Sequence, residues 1–403
     1  MSDAPPRSLP VDGTLISLGV RPLATPQGDF TVHLFRNVVT WDYALVLTCG
    51  DVTTPAPLLA RVHSSCVTSE SYGSCDCDCA EQLDAALAQL ARAGRGALFY
   101  LMQEGRGAGL CAKARDRMIV QASGNRLTTF EAFARMGLDR DRRRYDEVGS
   151  ACRILGVTAP LELLSNNPDK IAAIEGEGIR IAAVRPLCQA PSAFNVHYLT
   201  AKARAGHTLG AAAGGPGTTA LPEPVVYADP VALPQAPHLL RMASYLLPIV
   251  APQGAQPGAP DWLRLHAYCD LDTGAEWIVM TRGVTNGGAP LVRLQPETLL
   301  ERFAGRDGGP LRRRWHATVR AFVRHGAGCA VLVPRDDLRE PAAAAEDGVD
   351  ETALRLLAEH VPGGRARPVL AGADEVAAEP ALHAALARHG IAGERPLMLG
   401  DDA

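Results

Sequence analysis

The 403-residue chain lacks the features that mark membrane proteins and general nucleic-acid binders. Its apolar runs are interrupted by charge or proline well short of the roughly 18 residues of a membrane-spanning helix. Charged residues make up 21% of the chain, and a formal net charge of −4 provides no basic excess for nucleic acid or an anionic membrane. We therefore expect no nucleic acid and no membrane among its partners, and any anionic ligand must be held by local groups.

The N-terminal stretch MSDAPPRSLP also lacks a basic segment followed by an apolar one, so no secretory leader is expected. These absences together predict a cytoplasmic protein. Cysteines stay reduced in that compartment, so a cluster of them indicates metal binding or catalysis rather than disulfides.

Four of the ten cysteines do cluster, within fourteen positions: Cys66, Cys75, Cys77 and Cys79. The last three alternate with aspartates, and a strand-like backbone would place their thiols on one face, with Cys66 arriving from a neighbouring segment. Thiolates gathered so closely suit zinc. Scattered buried cysteines and a disulfide are the alternatives, and the expected reducing compartment disfavours the disulfide.

The stretch from RVHSSC (61–66) through Cys77-Asp-Cys79 and Gln82 to QEGR (103–106) resembles the zinc segment of GTP cyclohydrolase II. That enzyme opens the guanine ring at the start of riboflavin synthesis. The resemblance implies that Cys66, Cys77 and Cys79 bind one zinc ion per catalytic domain, whereas Cys75 is a bystander. Three protein ligands leave a fourth position for a water molecule, as in catalytic zinc sites. A structural zinc would need Cys75 as the fourth ligand, which is strained if Cys77 and Cys79 also bind.

The resemblance continues nearly without a break to about His207. Asp141 and Arg143 match the family's D-x-R pair, in which the aspartate is assigned as proton acceptor and the arginine as the nucleophile that displaces pyrophosphate. Because the pKa of arginine exceeds about 12, an electrostatic clamp on the α-phosphate is the plainer interpretation, and the sequence does not separate the two. The family also uses magnesium with the triphosphate. The implied nucleotide-contacting residues are Arg61, Ser64, Gln82, Glu104, Gly105, Arg106, Thr129, Ser165 and Lys170.

The sequence departs from the family at several neighbouring positions. In place of the usual residues it has Ser65 for Glu, Asp76 for Arg, Phe133-Ala134 for Asn-His, Ser165 for Thr, and Asp116-Arg117 for Ala-Tyr. The last change removes a tyrosine phenol, a loss that we expect to alter how the ring-opened intermediate is handled. Since the implied zinc ligands and the Asp141–Arg143 pair survive, the changes indicate an altered product or substrate rather than a dead site.

The periodicity of the first half predicts strands and helices, and the resemblance implies a mixed α/β (α+β) fold with a mixed sheet flanked by helices. Short apolar runs from Leu15 to Val62 indicate strands and hairpins. The spacing over 81–93 predicts an amphipathic helix that ends at Gly94, and ALFYLM then reads as a buried strand. Further on, APLELLSNNPDK predicts a strand, a turn and a helix that carries Lys170 in its first turn.

Several segments of the second half resemble segments of the first half and occur in the same order. SYLLPIVAPQG (244–254) resembles GVRPLATPQG (19–28), HGIAGERPL (389–397) resembles EGIRIAAVRPL, and a shift of 232 places Arg61 on Arg293. We therefore expect a catalytic domain at 1–207, a linker at 208–224 and a degenerate, inactive copy of the domain at 225–403. In that register the zinc ligands become Thr298, Gly309 and Leu311, and Glu104 and Arg106 become Asp336 and Leu338. Chance similarity and an unrelated partner-binding domain are the alternatives.

The resemblance implies a zinc-dependent hydrolase that opens the imidazole ring of GTP, or of a related purine nucleotide, at C8. Release of formate and pyrophosphate would give 2,5-diamino-6-ribosylamino-pyrimidinone 5'-phosphate. A variant that stops at the formamide-bearing pyrimidine, for a specialised metabolite, and a non-catalytic nucleotide-binding sensor are the alternatives. Because the family's enzymes are homodimers, we expect the two halves to form a pseudo-dimer within the chain, with homodimers as a further expectation.

Overall fold

The computed structural model describes residues 9–209, 219–250, 260–283, 288–305, 309–335, 350–361, 363–371 and 373–399. Within these ranges the chain forms two mixed sheets flanked by helices, which confirms the expected fold class. None of the helices in these ranges has the length and apolar character required to traverse a lipid bilayer. Three sequence expectations lie at least partly outside the described residues: the linker over 210–218, the echo over 251–254, and the positions Asp336 and Leu338.

The first sheet follows the strands that the alternating apolar runs predict. Its strands are β1 (Val11–Asp12), β2 (Leu15–Thr25), β3 (Gly28–Asn37), β4 (Tyr43–Cys49), β5 (Leu58–Ser64), β6 (Gly96–Leu101), β7 (Leu161–Leu164) and β8 (Ile181–Arg185). They are ordered β1-β2-β3-β4-β6-β5-β7-β8. Strands β2, β3, β4 and β6 pair antiparallel, whereas β5 lies parallel to both β6 and β7. The carboxyl ends of β5, β6 and β7 therefore meet at one edge, where loops can build a site.

Helices cover this sheet and extend it: α1 (Val67–Glu70), α2 (Cys79–Ala93), α3 (Glu104–Gly107), α4 (Leu110–Ala122), α5 (Thr129–Arg135), α6 (Asp146–Leu155), α7 (Pro168–Gly176) and α8 (Val196–Arg204). Helix α2 buries Leu83, Leu87 and Leu90 and ends at Gly94, whose φ of 66° only glycine adopts easily. This confirms the amphipathic helix that the spacing predicts. Strand β6 is buried along its whole length, as expected for a strand covered on both faces.

The second sheet contains β9 (Val231–Leu233), β10 (Ala236–Ile249), β11 (Asp261–Asp270), β12 (Glu276–Arg282), β13 (Leu291–Thr298), β14 (Gly328–Arg335), β15 (Arg365–Ala371), β16 (Ala392–Gly393) and β17 (Leu397–Leu399). Its helices are a 3₁₀ turn at Leu300–Phe303, α9 (Pro310–His325), α10 (Glu351–Glu359), α11 (Ala373–Ala377) and α12 (Glu379–Arg388). The order β9-β10-β11-β12-β14-β13-β15-β16 and the pairing directions repeat those of the first sheet.

Strand register also agrees between the two sheets. Leu59 lies opposite Gly96 in the first parallel pair, and Leu291 lies opposite Gly328 in the second, so one shift of 232 relates both strands. This is the shift that the sequence echoes indicate. A shared topology and register support duplication, and descent from one ancestral domain stays a proposal.

The two halves interlock through reciprocal packing. Leu110, Ala114 and Met118 of α4, in the first half, share a core with the second sheet. In return Leu299 and Phe303, beside and within the 3₁₀ turn of the second half, pack into a core of the first sheet. The second half is therefore in contact with the helix that runs from the QEGR turn.

One local expectation is wrong. The segment from Cys75 to Cys79 is not a strand that aligns three thiols on one face: it consists of irregular bends, and Cys79 already begins α2. An isolated bridge pairs the preceding Ser74 with Ile249 of the second sheet. These bends direct the Cys75 side chain away from Cys77 and Cys79.

Candidate active site

Three of the four clustered cysteines come together at the carboxyl end of β5. Cys66 follows that strand, and Cys77 and Cys79 lie where the bends meet the first turn of α2. Their sulfur atoms lie within 4.8 Å of one another, and Cys66 Sγ is 3.7 Å from Cys77 Sγ. Cys75 points elsewhere, its thiol 3.6 Å from the carbonyl oxygen of Pro248.

The geometry of these sulfurs fits zinc. Tetrahedral Zn–S bonds of about 2.3 Å place two sulfurs about 3.8 Å apart, close to the spacing of Cys66 and Cys77. Hydrogen bonds from Cys77 and Cys79, together with the Lys113 charge, hold the pKa of Cys66 well below its usual value despite burial. The hydrogen bonds with Cys66 raise the pKa of Cys77 and of Cys79, so the cluster holds its negative charge on Cys66, where a cation would neutralise it.

Lys113 is the residue that sequence reasoning missed here. Its ammonium lies 3.1 Å from Cys66 Sγ, 2.9 Å from Thr68 Oγ1 and 2.9 Å from Glu104 Oε1. Glu104 also accepts a 2.8 Å hydrogen bond from the Val67 amide. The available signal is the K-x-R segment at 113–115, which matches the family and directly precedes the departure at Asp116-Arg117. Lys113 thus links α4, the QEGR turn and the cysteine cluster.

The QEGR turn has an unusual backbone. Gly105 and Arg106 both have a φ of 58°, in the left-handed region that disfavours a non-glycine residue such as Arg106. This conformation turns the Arg106 guanidinium over the Phe130 ring, 4.0 Å from its centroid. The arginine is thereby placed at the cleft wall beside α5, which begins at Thr129.

Two buried cations also line the cleft. Arg61 donates to the Leu164 carbonyl at 2.8 Å and to Gln82 Oε1 at 2.6 Å, and Lys170 donates to the Val62 carbonyl at 2.9 Å. Burial lowers the pKa of Arg61 to about 10. Burial, and then the charges of Arg143 and Arg61, lower the pKa of Lys170 well below its usual value. An anion bound between these cations would relieve their mutual repulsion.

Asp141 and Arg143 form a pair in the loop before α6. Arg143 Nε donates to Asp141 Oδ1 at 2.8 Å, and a second guanidinium nitrogen contacts the other carboxylate oxygen. Burial opposes both charges, yet this pairing leaves the pKa of Asp141 below and that of Arg143 above its usual value. An arginine held protonated is a poor nucleophile, so the geometry favours the electrostatic clamp that the sequence left open.

Two of the departures from the family contact each other. Arg117 Nε lies 3.0 Å from Asp76 Oδ2, and the Arg117 guanidinium stacks 4.5 Å from the centroid of the Tyr198 ring. The adjacent Asp116 accepts a 2.8 Å hydrogen bond from Thr129. Asp76 and Arg117 are thus a coupled change, because either alone would leave a nearly buried charge without this partner.

All the site residues expected from the sequence line one cleft, and basic residues outnumber acidic ones around it. Ser64 Oγ is buried there without a hydrogen-bond partner among the described residues, and Ser165 Oγ accepts from the Asn167 amide at 3.3 Å. Sequence reasoning did not assign Tyr198, Lys202 and His207, although the family resemblance extends to about His207. Residues that line the cleft include Arg61, Ser64, Cys66, Cys77, Cys79, Gln82, Glu104, Gly105, Arg106, Lys113, Asp116, Arg117, Thr129, Asp141, Arg143, Ser165, Lys170, Tyr198, Lys202 and His207.

Comparison with known proteins points to the same half of the chain. Residues 18–186 match the GTP cyclohydrolase II family. The chain is 40% identical to GTP cyclohydrolase-2 of Azotobacter vinelandii over 198 residues, which cover 49% of this chain and 93% of that protein. It is 38% identical to the Pseudomonas paraeruginosa enzyme over 198 residues, 49% and 95% of the two chains. With the Tolumonas auensis enzyme it shares 40% identity over 188 residues, 46% and 93% of the two chains.

Proposed function

The chain belongs to the GTP cyclohydrolase II family and is an enzyme of that type, and from this premise we propose that residues 1–207 form a zinc-dependent hydrolase acting on GTP. The reaction opens the imidazole ring at C8 and releases pyrophosphate, with formate release giving 2,5-diamino-6-ribosylamino-pyrimidinone 5'-phosphate. The observation that carries this proposal is the meeting of three cysteine sulfurs with a basic cleft at one edge of the sheet.

Cys66, Cys77 and Cys79 would hold the zinc. When bound, the ion supplies Lewis-acid activation of water for attack on the purine carbon. Lys113 stabilises the thiolate charge of Cys66, and Glu104 holds Lys113 in place. These contacts tie the cysteine cluster to α4 and to the QEGR turn.

The basic residues would hold the triphosphate together with magnesium. Arg61 and Lys170 are buried and already oriented by backbone carbonyls, so little side-chain entropy is lost when phosphate binds. Arg143 would clamp the α-phosphate, where negative charge develops as pyrophosphate leaves. Asp141 orients that guanidinium through two contacts and remains a candidate proton acceptor.

The Asp76–Arg117 pair favours a second product. Arg117 occupies the position of the family's tyrosine, so the phenol of that residue is missing, and the guanidinium in its place is bound by Asp76. We propose that formate release is slow relative to pyrophosphate release, so that a formamide-bearing pyrimidine accumulates for a specialised metabolite.

The second half completes the proposal. We propose that residues 225–403 are a degenerate, inactive copy of the catalytic domain, which forms a pseudo-dimer with it. The repeated sheet order and the reciprocal cores support this. Thr298 and Leu311 stand at ligand positions where neither can replace a thiolate.

Incubation of the purified chain with GTP and magnesium tests the function. Mass spectrometry of the product, with parallel assays of formate and pyrophosphate, should show ring opening and pyrophosphate release. Nucleotide binding without either product would contradict the proposed hydrolase and support a nucleotide-binding sensor instead.

A further inference from the structure

The helix that carries the active-site residues Lys113, Asp116 and Arg117 begins without a cap of its own. Helix α4 has Gly109 at its N-cap position and no acidic residue in its first turn. The first amides of a helix need acceptors, and a carboxylate there is favoured by the helix dipole. The acceptor comes from the second half of the chain.

Glu276, the first residue of β12, provides it. Its Oε2 accepts from the Leu110 amide at 2.7 Å, and its Oε1 accepts from the Cys111 amide at 2.8 Å. Both carboxylate oxygens are therefore directed at consecutive amides that have no acceptor within the helix. This is a two-point attachment between a strand of the second sheet and a helix of the first half.

Gly109 makes this approach feasible. Its φ is 93°, and a Cβ atom at this position would lie 2.9 Å from Glu276 Oε1. Glycine thus serves two needs here, because other residues would be strained in this conformation and would crowd the carboxylate.

Two further side chains, with three hydrogen bonds, fix the rest of α4 to β10. Arg115 Nη1 donates to the Met242 carbonyl at 2.9 Å. The Gln121 side chain donates to the Leu246 carbonyl at 2.7 Å and accepts from the Leu246 amide at 2.8 Å. The second sheet therefore holds α4 at its start, middle and end, while the opposite side of the helix carries residues to the cysteine cluster and the cleft.

The capping carboxylate is specific to the second sheet. Thr48 of β4 lies opposite Ala97, and Thr281 of β12 lies opposite Cys329 in the equivalent strand pair, so β4 and β12 correspond with a difference of 233 in residue number. Tyr43 of β4 therefore occupies the position that corresponds to Glu276. A tyrosine cannot provide two carboxylate acceptors. The second half therefore contributes a group that a symmetric copy of the first would not supply.

We infer that Glu276 is a positioning residue for the active site in the first half. Its carboxylate fixes the start of α4 and thereby holds Lys113 beside Cys66 and Arg117 at the cleft wall. The second half is then required for the geometry of the reaction and not merely for packing. The kinetic part of this inference rests on the proposed function, and the structural part does not.

The test uses Glu276→Ala and the isosteric Glu276→Gln in the full chain. The matched control is Asp350→Ala, because Asp350 caps α10 through a 3.0 Å bond from the Ala353 amide in the second half, away from the cleft. Hydrogen exchange followed by mass spectrometry measures how strongly the amides in the first turn of α4 are protected. Steady-state kinetics with GTP separates effects on kcat from effects on KM.

Removal of a capping carboxylate should speed exchange of the Leu110 and Cys111 amides about tenfold, with a loss of kcat of similar size. Glu276→Gln retains one acceptor oxygen and should fall between wild type and Glu276→Ala. Asp350→Ala should lower thermal stability while leaving kcat and α4 exchange within about twofold of wild type.

Unchanged α4 exchange in both Glu276 variants would overturn the inference, as would an equal loss of kcat in Asp350→Ala. If Glu276→Ala does not fold, Glu276→Gln decides by the same two readouts. Failure of the wild type to turn over GTP would defeat the proposed function, whereas the exchange of α4 would still decide the role of Glu276.

Discussion

The two halves of this chain share a scaffold and differ in what the scaffold carries. His33 lies 3.0 Å from Thr48 across β3 and β4, and His266 lies 3.0 Å from Thr281 across β11 and β12, at positions related by a shift of 233. Even this polar pair inside the sheet is repeated. The repeated sheet order therefore extends to individual side-chain contacts.

The equivalent arginines show where the halves diverge. Arg61 and Arg293 each donate to a carbonyl on the next parallel strand, at Leu164 and Val369. The rest of the Arg61 guanidinium faces the cleft beside Gln82, whereas Arg293 is bound at 2.9 and 3.0 Å by Glu375. A cation available to a ligand in one half is neutralised in the other. Strand packing is thus preserved while the chemistry at the strand ends is free to change.

The largest predicted effect is the loss of zinc and of GTP turnover when one of the clustered thiols of the first half is replaced. Cys66→Ser, Cys77→Ser and Cys79→Ser should each lose bound zinc and GTP turnover, because serine is a poor zinc ligand and the second half has no replacement set at the aligned positions. Cys75→Ser is the matched control and should keep both. Zinc loss in Cys75→Ser alone, or full zinc in Cys77→Ser, would reverse the ligand assignment.

The phosphate clamp should give the next largest effect. Arg143→Ala should reduce kcat by about a hundredfold or more, as expected when a group that stabilises transition-state charge is removed. Its effect on the free energy of unfolding should stay small. The neighbouring Arg144→Ala is the control, since its side chain is 75% exposed. Near-wild-type turnover by Arg143→Ala would show that phosphate is handled elsewhere.

The coupled departures should control the product rather than the rate of ring opening. Replacing both residues, as Asp76→Arg with Arg117→Tyr, restores the family residues at both positions and removes the two members of the present ion pair together. We expect formate release in the double variant to approach pyrophosphate release, and the Arg117→Tyr single variant to be less stable. Stoichiometric formate from the wild type in its first turnover would refute the proposed role of Arg117.

The smallest predicted effect is a pH dependence of the free energy of unfolding, which arises from His360 in the second half. The His360 ring lies 4.3 Å from the His266 ring, tilted by 43°, and is hydrogen-bonded to the Tyr268 hydroxyl at 2.8 Å. Burial, and then the Arg241 charge, lower the pKa of His360 to about 4. Neutral His360 therefore contributes to the free energy of unfolding above the pKa of a histidine in the unfolded chain, about 6.5. This contribution is lost as the pH falls toward 4.

Denaturant unfolding at pH 7 and pH 5 measures this contribution. Lowering the pH should cost about 2 kcal/mol through His360 alone. His360→Asn should show a correspondingly smaller difference between the two pH values. An identical pH dependence in the variant and the wild type would contradict this account of His360.

Sequence patterns predict the sheet of the first half well because each strand depends on local alternation and turn residues. They also place Cys66, Cys77 and Cys79 together through the family register. The alternation at 75–79 predicts a strand that the structure replaces with bends and the start of α2, because alternating residues form a strand only where a neighbouring strand pairs with them. Lys113 and Glu276 could not be placed, since their roles come from contacts 47 and 165 residues away in the chain.

The zinc content of the full-length chain tests the central claim most directly. We predict one zinc per chain by elemental mass spectrometry, bound in the first half and lost in Cys77→Ser. Two zinc ions per chain would show that the second half retains a metal site. Absence of zinc from a chain that turns over GTP would contradict the assignment of the three cysteines as ligands of a catalytic ion.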